Sequence, residues 1–224
     1  ADAAHELKTP LAILQGELEQ ALQQAEPGSI LQQNLSNLLD EVSRLSSIVR
    51  KLLLLSLADA GQISLHPVHV NLAHLLEVIV EDIDLLAPEL TVELDVNPDL
   101  YVFGDLDLLT QVLQNLISNA VKYNLPQGWI HIVGYQSLNQ VKITITNASS
   151  PLTQLDRERI FDRFYRGDPA RTRKIEGIGL GLSLSREIVR AHQGELTLDA
   201  ASSGQTALTL SLPIEQSVLR TDHE

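Results

Sequence analysis

At 224 residues the chain has room for one large domain or two small ones, and with 44% hydrophobic residues but only 4% aromatics its core must be built from Leu, Ile and Val. A formal charge of −13 argues against a nucleic-acid surface or an anionic membrane surface, so any polyanionic ligand must meet a local cluster of positive charge. Without cysteine there is no disulfide, thiolate metal site or thiol nucleophile, and no apolar run reaches the roughly 20 residues that span a bilayer.

No signal peptide is visible. The opening stretch ADAAHELKTP reads as the interior of a helix, so a fragment of a longer protein is expected. Residues 1 to about 57 read as two helices. Leu7, Leu11, Leu14 and Leu18 mark the first. Leu31, Leu35, Leu38, Val42, Leu45, Val49 and Leu52 mark the second, alternating steps of four and three. That 3.5-residue period is the signature of bundle packing. Pro27, Gly28 and Ser29 supply the turn between them. A hairpin alone buries its seam poorly, and a second copy would complete a four-helix bundle, so a homodimer is expected.

Ala58 to Ile63 breaks the heptads and reads as a linker. Beyond it, Leu72–Leu86 is predicted helical and Thr91–Val96 a strand, and Asp107–Tyr123 is a strongly amphipathic helix. Ile130–Tyr135 and Val141–Asn147 read as paired strands around Leu138–Asn139–Gln140. Leu180–His192 is predicted to be a helix closed by Gly194. Glu195–Ala200 and Thr206–Leu212 form a last hairpin. The fold class is α+β: a helical hairpin over 1–60, then an α/β sandwich over 65–215 with helices on one face of a mainly antiparallel sheet.

Four stretches carry chemistry. In HELKTP, His5 and Thr9 share a helix face, and a neutral imidazole is a good nucleophile near neutral pH. Glu6 beside it would take the second ring proton or hold the tautomer, and Pro10 removes a helix hydrogen bond. In QVLQNLISNAVKY, Asn115 and Asn119 lie four apart with Lys122 and Tyr123 a turn further on, and Leu113, Leu116, Ile117 and Val121 face the core. Such amides beside a lysine can hold a hydrated magnesium ion and a phosphate chain. In GIGLGL, Gly177, Gly179 and Gly181 precede a helix start whose free N–H groups suit phosphate. The spacing is neither the dinucleotide pattern nor the P-loop. Between these lies FDRFYRGDPARTRKIEG, where Arg163, Arg166, Arg171, Arg173 and Lys174 gather positive charge as a lid over a polyphosphate would. His66, His69, His74, His131, His192 and His223 read as ordinary surface histidines.

Together these stretches resemble the sensor histidine kinases of two-component systems. HELKTP is similar to the family's H box, QNLISNAVKY to its N box, IFDRFYR to its F box and GIGLGLSLSREIVRAHQG to its G2 box, all in the family's order. The resemblance implies a dimeric hairpin followed by a Bergerat-type domain that binds ATP and magnesium. It makes His5 the phospho-acceptor, Glu6 the assisting base and Thr9 the residue that orients water in phosphatase action. Asn115 and Asn119 become nucleotide and magnesium ligands, Asn119 above all for the metal. Lys122, Tyr123 and Arg166 become phosphate or nucleotide contacts, and Gly177, Gly179 and Gly181 the phosphate-side glycines. The partner implied is the receiver domain of a response regulator. The location implied is cytoplasmic, with membrane attachment only through upstream segments.

One motif departs from the family. The G1 box normally reads D-x-G-x-G, its aspartate accepting the adenine amino proton. Here the stretch is NASSP, with Asn147 fourteen residues before Phe161 and Ser149 and Pro151 in place of glycines. An amide oxygen still accepts that proton but without charge assistance. Two alternatives follow: a phosphatase-dominant protein, or a non-catalytic nucleotide-sensing dimerisation module. Gyrase- or chaperone-type ATPases of the same fold carry a glutamate at the position of Asn115 and lack the HELKTP hairpin.

Overall fold

The structure, a computed structural model, describes residues 2–167, 177–200 and 204–214, with side chains for all of these except 2–8 and 84–86. The chain divides into two compact units, Ala1–Gln62 and Ile63–Glu224.

The first unit is a helical hairpin. Helix α1 spans Asp2–Gln24 and runs through Pro10, and α2 spans Ile30–Asp59. Ser29 caps the start of α2, its hydroxyl accepting from the Gln32 amide at 3.1 Å. Leu11, Ala12 and Gln15 of α1 line one small cavity with Ser46, Val49 and Arg50 of α2, so the helices run antiparallel. The heptad positions of α2 divide into two columns. Leu35, Val42 and Val49 are half-buried, whereas Leu31, Leu38, Leu45 and Leu52 stay 59%, 54%, 44% and 41% exposed. A single hairpin covers one column only. Among the described residues no helix is long and apolar enough to cross a membrane.

The second unit is built on two sheets. Strands β1 (Pro67–Asn71) and β3 (Tyr101–Asp105) form an antiparallel pair. The main sheet runs β2 (Thr91–Val96), β4 (Trp129–Ser137), β5 (Gln140–Ala148), β7 (Gln205–Pro213) and β6 (Glu195–Leu198); only β2 and β4 are parallel. The α+β class and mainly antiparallel sheet are those the sequence pattern predicts. Strand β5 shows the period of two: Val141, Ile143 and Ile145 are buried, while Lys142, Thr144 and Thr146 are half-exposed.

The covered face carries α3 (Leu72–Leu86), α4 (Leu106–Lys122) and α6 (Gly181–Ala191). Helix α4 buries Leu109, Val112, Leu113, Leu116, Ile117 and Ala120, each large side chain contributing roughly 1.5–3 kcal/mol. Val112 takes a core place the sequence reading gave to Val121, which is only half-buried. A short helix, α5 (Gln154–Arg159), follows the NASSP stretch.

Asp105 and His192 join three of these elements. Asp105 caps α4, accepting from the Leu108 amide at 3.1 Å and from the His66 amide at 2.9 Å. Its own amide donates to His192 Nε2 at 3.0 Å, and His192 Nδ1 meets the Ile188 carbonyl at 2.8 Å. These partners make His192 a neutral ring protonated on Nδ1. His192 is therefore no surface histidine: it is 2% exposed at the end of α6. Burial pushes its pKa below the usual 6.5, against the Ile188 carbonyl and the Asp105 carboxylate, which favour protonation. For Asp105, desolvation acts upward, but the His66 and Leu108 amides and the two imidazoles outweigh it and hold the carboxyl below 3.8.

Candidate functional site

Helix α4 carries the polar pair on the side away from its apolar stripe. Asn115 and Asn119 are half-buried, and Lys122 and Tyr123 are exposed at the helix end. The Asn115 amide donates to Ser185 Oγ on α6 at 2.8 Å. Its oxygen lies so close to Gly181 that a Cβ on that residue would collide with it. Gly181 is thus required by a close approach, and α4 is locked to the first turn of α6 through Asn115. Ser185 is a residue the sequence reading missed; its position four residues beyond Gly181, on the same helix face, was the available signal.

Helix α6 starts in a way the other capped helices do not. Ser29, Asn71, Asp105 and Thr153 each give a side-chain cap to α2, α3, α4 and α5. Leu180, the N-cap of α6, gives none. Among the described residues nothing caps the first-turn N–H groups of α6, and the helix dipole favours an anion there. Gly177 and Gly179 precede this start, Gly179 with φ +76°. A Cβ on Gly179 would meet the Tyr165 carbonyl oxygen at 2.5 Å and the Phe164 carbonyl carbon at 2.8 Å. Any side chain there is excluded twice, by conformation and by space.

The F-box turn is stitched to this glycine loop. The Phe164 amide donates to the Gly179 carbonyl at 2.9 Å. Phe164 holds φ +60°, uncommon for a bulky residue, and is 58% exposed. Arg186 of α6 stacks over the Phe161 ring at 5.2 Å. Tyr165 donates its hydroxyl to Asp156 Oδ1 at 2.8 Å, a bond that raises the phenol's pKa above 10, and Arg159 sits over its ring at 4.8 Å. Arg163 and Arg166 are exposed beside these residues. The remaining basic positions, Arg171, Arg173 and Lys174, lie outside the described residues, as does His223.

Asn147, next to last in β5, is buried. Its Nδ2 donates to the Ala148 carbonyl at 3.0 Å, which leaves Oδ1 as an acceptor. Ser149 turns a glycine position into an anchor: its amide donates to the Gly204 carbonyl at 3.0 Å, and its hydroxyl pairs with Thr206 Oγ1 at 2.7 Å. The Leu125 amide, just past α4, donates to the Ala148 carbonyl at 3.2 Å and so ties the Lys122–Tyr123 end of α4 to the Asn147 strand end. Asn115, Gly179, Gly181, Lys122, Tyr123, Asn147 and Arg166 thus sit on segments bonded into one network. His5, Glu6 and Thr9 belong to the first unit. The side chains of His5 and Glu6 lie outside the described residues, and Thr9 is exposed on α1.

Among the described residues no cluster of three His, Cys, Asp or Glu side chains fits a metal. The Asn119 amide has no hydrogen-bond partner among them either. A neutral amide oxygen without an all-protein cage suits a magnesium ion that keeps waters and substrate phosphates as its other ligands.

Comparison with known proteins agrees with this layout. Residues 1–61 match the "His Kinase A (phospho-acceptor) domain", and residues 104–216 match the "Histidine kinase-, DNA gyrase B-, and HSP90-like ATPase" family. The sensor histidine kinase CusS of Escherichia coli (strain K12) is 35% identical over 215 residues, covering 95% of this chain and 44% of CusS. The sensor histidine kinase WalK of Bacillus subtilis (strain 168) is 34% identical over 224 residues, covering 96% of this chain and 36% of WalK. The chain therefore spans less than half the length of these curated relatives. In fold it is similar to full-length ShkA in complex with AMPPNP, with a TM-score of 0.81 over 97% of this chain and 46% of ShkA at 22% identity. It is also similar to ThkA in complex with the response regulator TrrA, with a TM-score of 0.63 over 96% of this chain and 60% of that one at 23% identity.

Proposed function

Because the chain belongs to the sensor histidine kinases of two-component systems, we propose that it is the catalytic core of such a kinase, transferring the γ-phosphoryl group of ATP to His5 and then to an aspartate of a response-regulator receiver domain. The hairpin of residues 1–60 is the dimerisation and phosphotransfer domain, and residues 65–215 are the ATP-binding domain. The observation that carries the reading is the uncapped start of α6 locked by Asn115 against Gly181, with the F-box turn bonded to Gly179. This is a backbone cradle for a polyphosphate, and AMPPNP in the similarly folded ShkA is a ligand of that class.

In this mechanism the protein supplies position and charge neutralisation rather than covalent chemistry. The α6 amides and Gly177, Gly179 and Gly181 hold phosphate oxygens. Lys122 and Arg166 offset their charge, and Tyr123 flanks the nucleotide. Asn147 Oδ1 accepts the adenine amino proton. His5 attacks through one ring nitrogen while Glu6 holds or removes the proton on the other. Asn119, with Asn115 behind it, would hold magnesium, which shields the transferring phosphoryl group when bound. Thr9 serves the reverse role of orienting water for phosphatase action.

The open column Leu31, Leu38, Leu45 and Leu52, an apolar heptad stripe that a second hairpin would cover, supports a homodimer. The response regulator docks on the hairpin around His5 in this reading, and the similarly folded ThkA is in complex with a response regulator, TrrA. The site is cytoplasmic, with any membrane anchor on segments outside this chain. Autophosphorylation with γ-labelled ATP tests the assignment. Label released by acid and kept in alkali is expected, and Asn119→Ala should abolish it; label stable to acid, or indifferent to Asn119→Ala, would overturn it.

A further inference from the structure

Among the described residues, two side-chain hydrogen bonds tie the F-box turn to the segment after the NASSP stretch: Tyr165 to Asp156, and Arg159 Nε to Asp162 Oδ2 at 3.0 Å. Asp156 is that segment's hub. As the third residue of α5 it completes a capping box with Thr153: its Oδ2 accepts from the Thr153 amide at 2.9 Å and hydroxyl at 2.6 Å, while Thr153 Oγ1 accepts from the Asp156 amide at 3.1 Å. Its other oxygen, Oδ1, takes the Tyr165 hydroxyl at 2.8 Å. A Cβ on Gly167 would meet that same Oδ1 at 3.1 Å, so the chain beyond Arg166 also passes close to it. On the far side of the turn, Phe164 is held in a left-handed conformation by its amide bond to Gly179. Arg166 is the next residue after Tyr165.

We propose that Tyr165 and Asp156 are positioning residues for phosphoryl transfer: their hydrogen bond fixes the F-box turn between α5 and the Gly179 loop, and so sets where Arg166 and the glycine backbone stand. The inference rests on the kinase reading given above. A bond at this place has little fold to hold. Asp156 is half-exposed on a six-residue helix with no buried side chain, and Tyr165 is half-exposed too. It lies instead between two loops that the reading assigns to opposite ends of the nucleotide. A half-exposed capping residue whose second oxygen receives a tyrosine from the F box is better explained by alignment than by stability.

The test uses the whole chain and Tyr165→Phe, which removes the hydroxyl and keeps the ring. The kcat of autophosphorylation should fall by about tenfold, the worth of one well-placed hydrogen bond. KM for ATP and the thermal midpoint should stay near wild type. Asp156→Ala should show the same kcat loss, and the double variant should lose no more than the weaker single variant, as two ends of one bond require. Arg166→Ala, as a control, should also lower kcat. An unaltered kcat in Tyr165→Phe, losses that add in the double variant, or a fall in thermal midpoint that accounts for the rate would each overturn the positioning role. A wild-type chain that takes no label from ATP would remove the kinase reading itself, and this inference with it.

Discussion

Single side chains decide two properties of the ATP domain. His192 is locked neutral between the Ile188 carbonyl and the Asp105 amide, and a proton on Nε2 would face an N–H donor. The unfolded chain binds that proton near the ordinary value of 6.5, and the folded chain only below it. The unfolded state therefore binds more protons as pH falls through this window, so stability is full above about pH 6.5 and declines below it. Denaturant unfolding at pH 7.5 and 5.5 should show this loss, and His192→Gln should flatten it. At neutral pH His192→Ala should cost about 2–4 kcal/mol, from a cavity and an orphaned amide. In the proposed mechanism Asn147 accepts the adenine amino proton. Restoring a charged acceptor with Asn147→Asp should tighten ATP about tenfold, one charge-assisted bond's advantage, in a calorimetric titration. The sequence alone made Asn147 visible, because a motif departed from its pattern at a known spacing. It left His192 among surface histidines, because its burial depends on Gly104, Asp105 and Ile188, two of them distant in the chain and brought near only by folding.

Among the elements, helices with strong periodicity were legible to within a few residues: α4 at Leu106–Lys122 against an expected 107–123, and α6 at Gly181–Ala191 against 180–192. The β1–β3 pair was not. Pro67–Asn71 and Tyr101–Asp105 are five-residue strands, too short for alternation to stand out, and their paired residues lie 30 to 38 positions apart. Helix α5 was also missed, although Thr153 and Asp156 form the capping-box signal that marks a helix start. The heptads of α2 were read as one seam. In a single hairpin they are two columns, of which Leu31, Leu38, Leu45 and Leu52 remain open. If a second copy covers them, Leu38→Asp with Leu45→Asp should convert the chain from dimer to monomer in sedimentation while the ATP domain keeps its nucleotide affinity. A dimer that survives both changes would place the interface elsewhere.

Across the whole molecule, charge is segregated along the sequence. No Lys or Arg lies between Lys51 and Lys122, whereas nine of the 16 fall from Arg157 to Arg190, in α5, the F box, the segment leading to the glycine loop, and α6. An acidic chain repels ATP in general and attracts it at that one place, an interaction that salt screens over about 8–10 Å. KM for ATP should therefore rise by about threefold between low and physiological ionic strength, and charge-neutral substitutions at Arg163 or Arg166 should lessen the rise. The chain has two compact units, and the proposed mechanism puts the acceptor His5 in the first and the phosphate cradle in the second. The most direct test of that central claim compares the wild-type chain with His5→Gln under γ-labelled ATP. The account predicts acid-labile label on the wild type and none on His5→Gln, with nucleotide binding unchanged; label persisting on His5→Gln would contradict it.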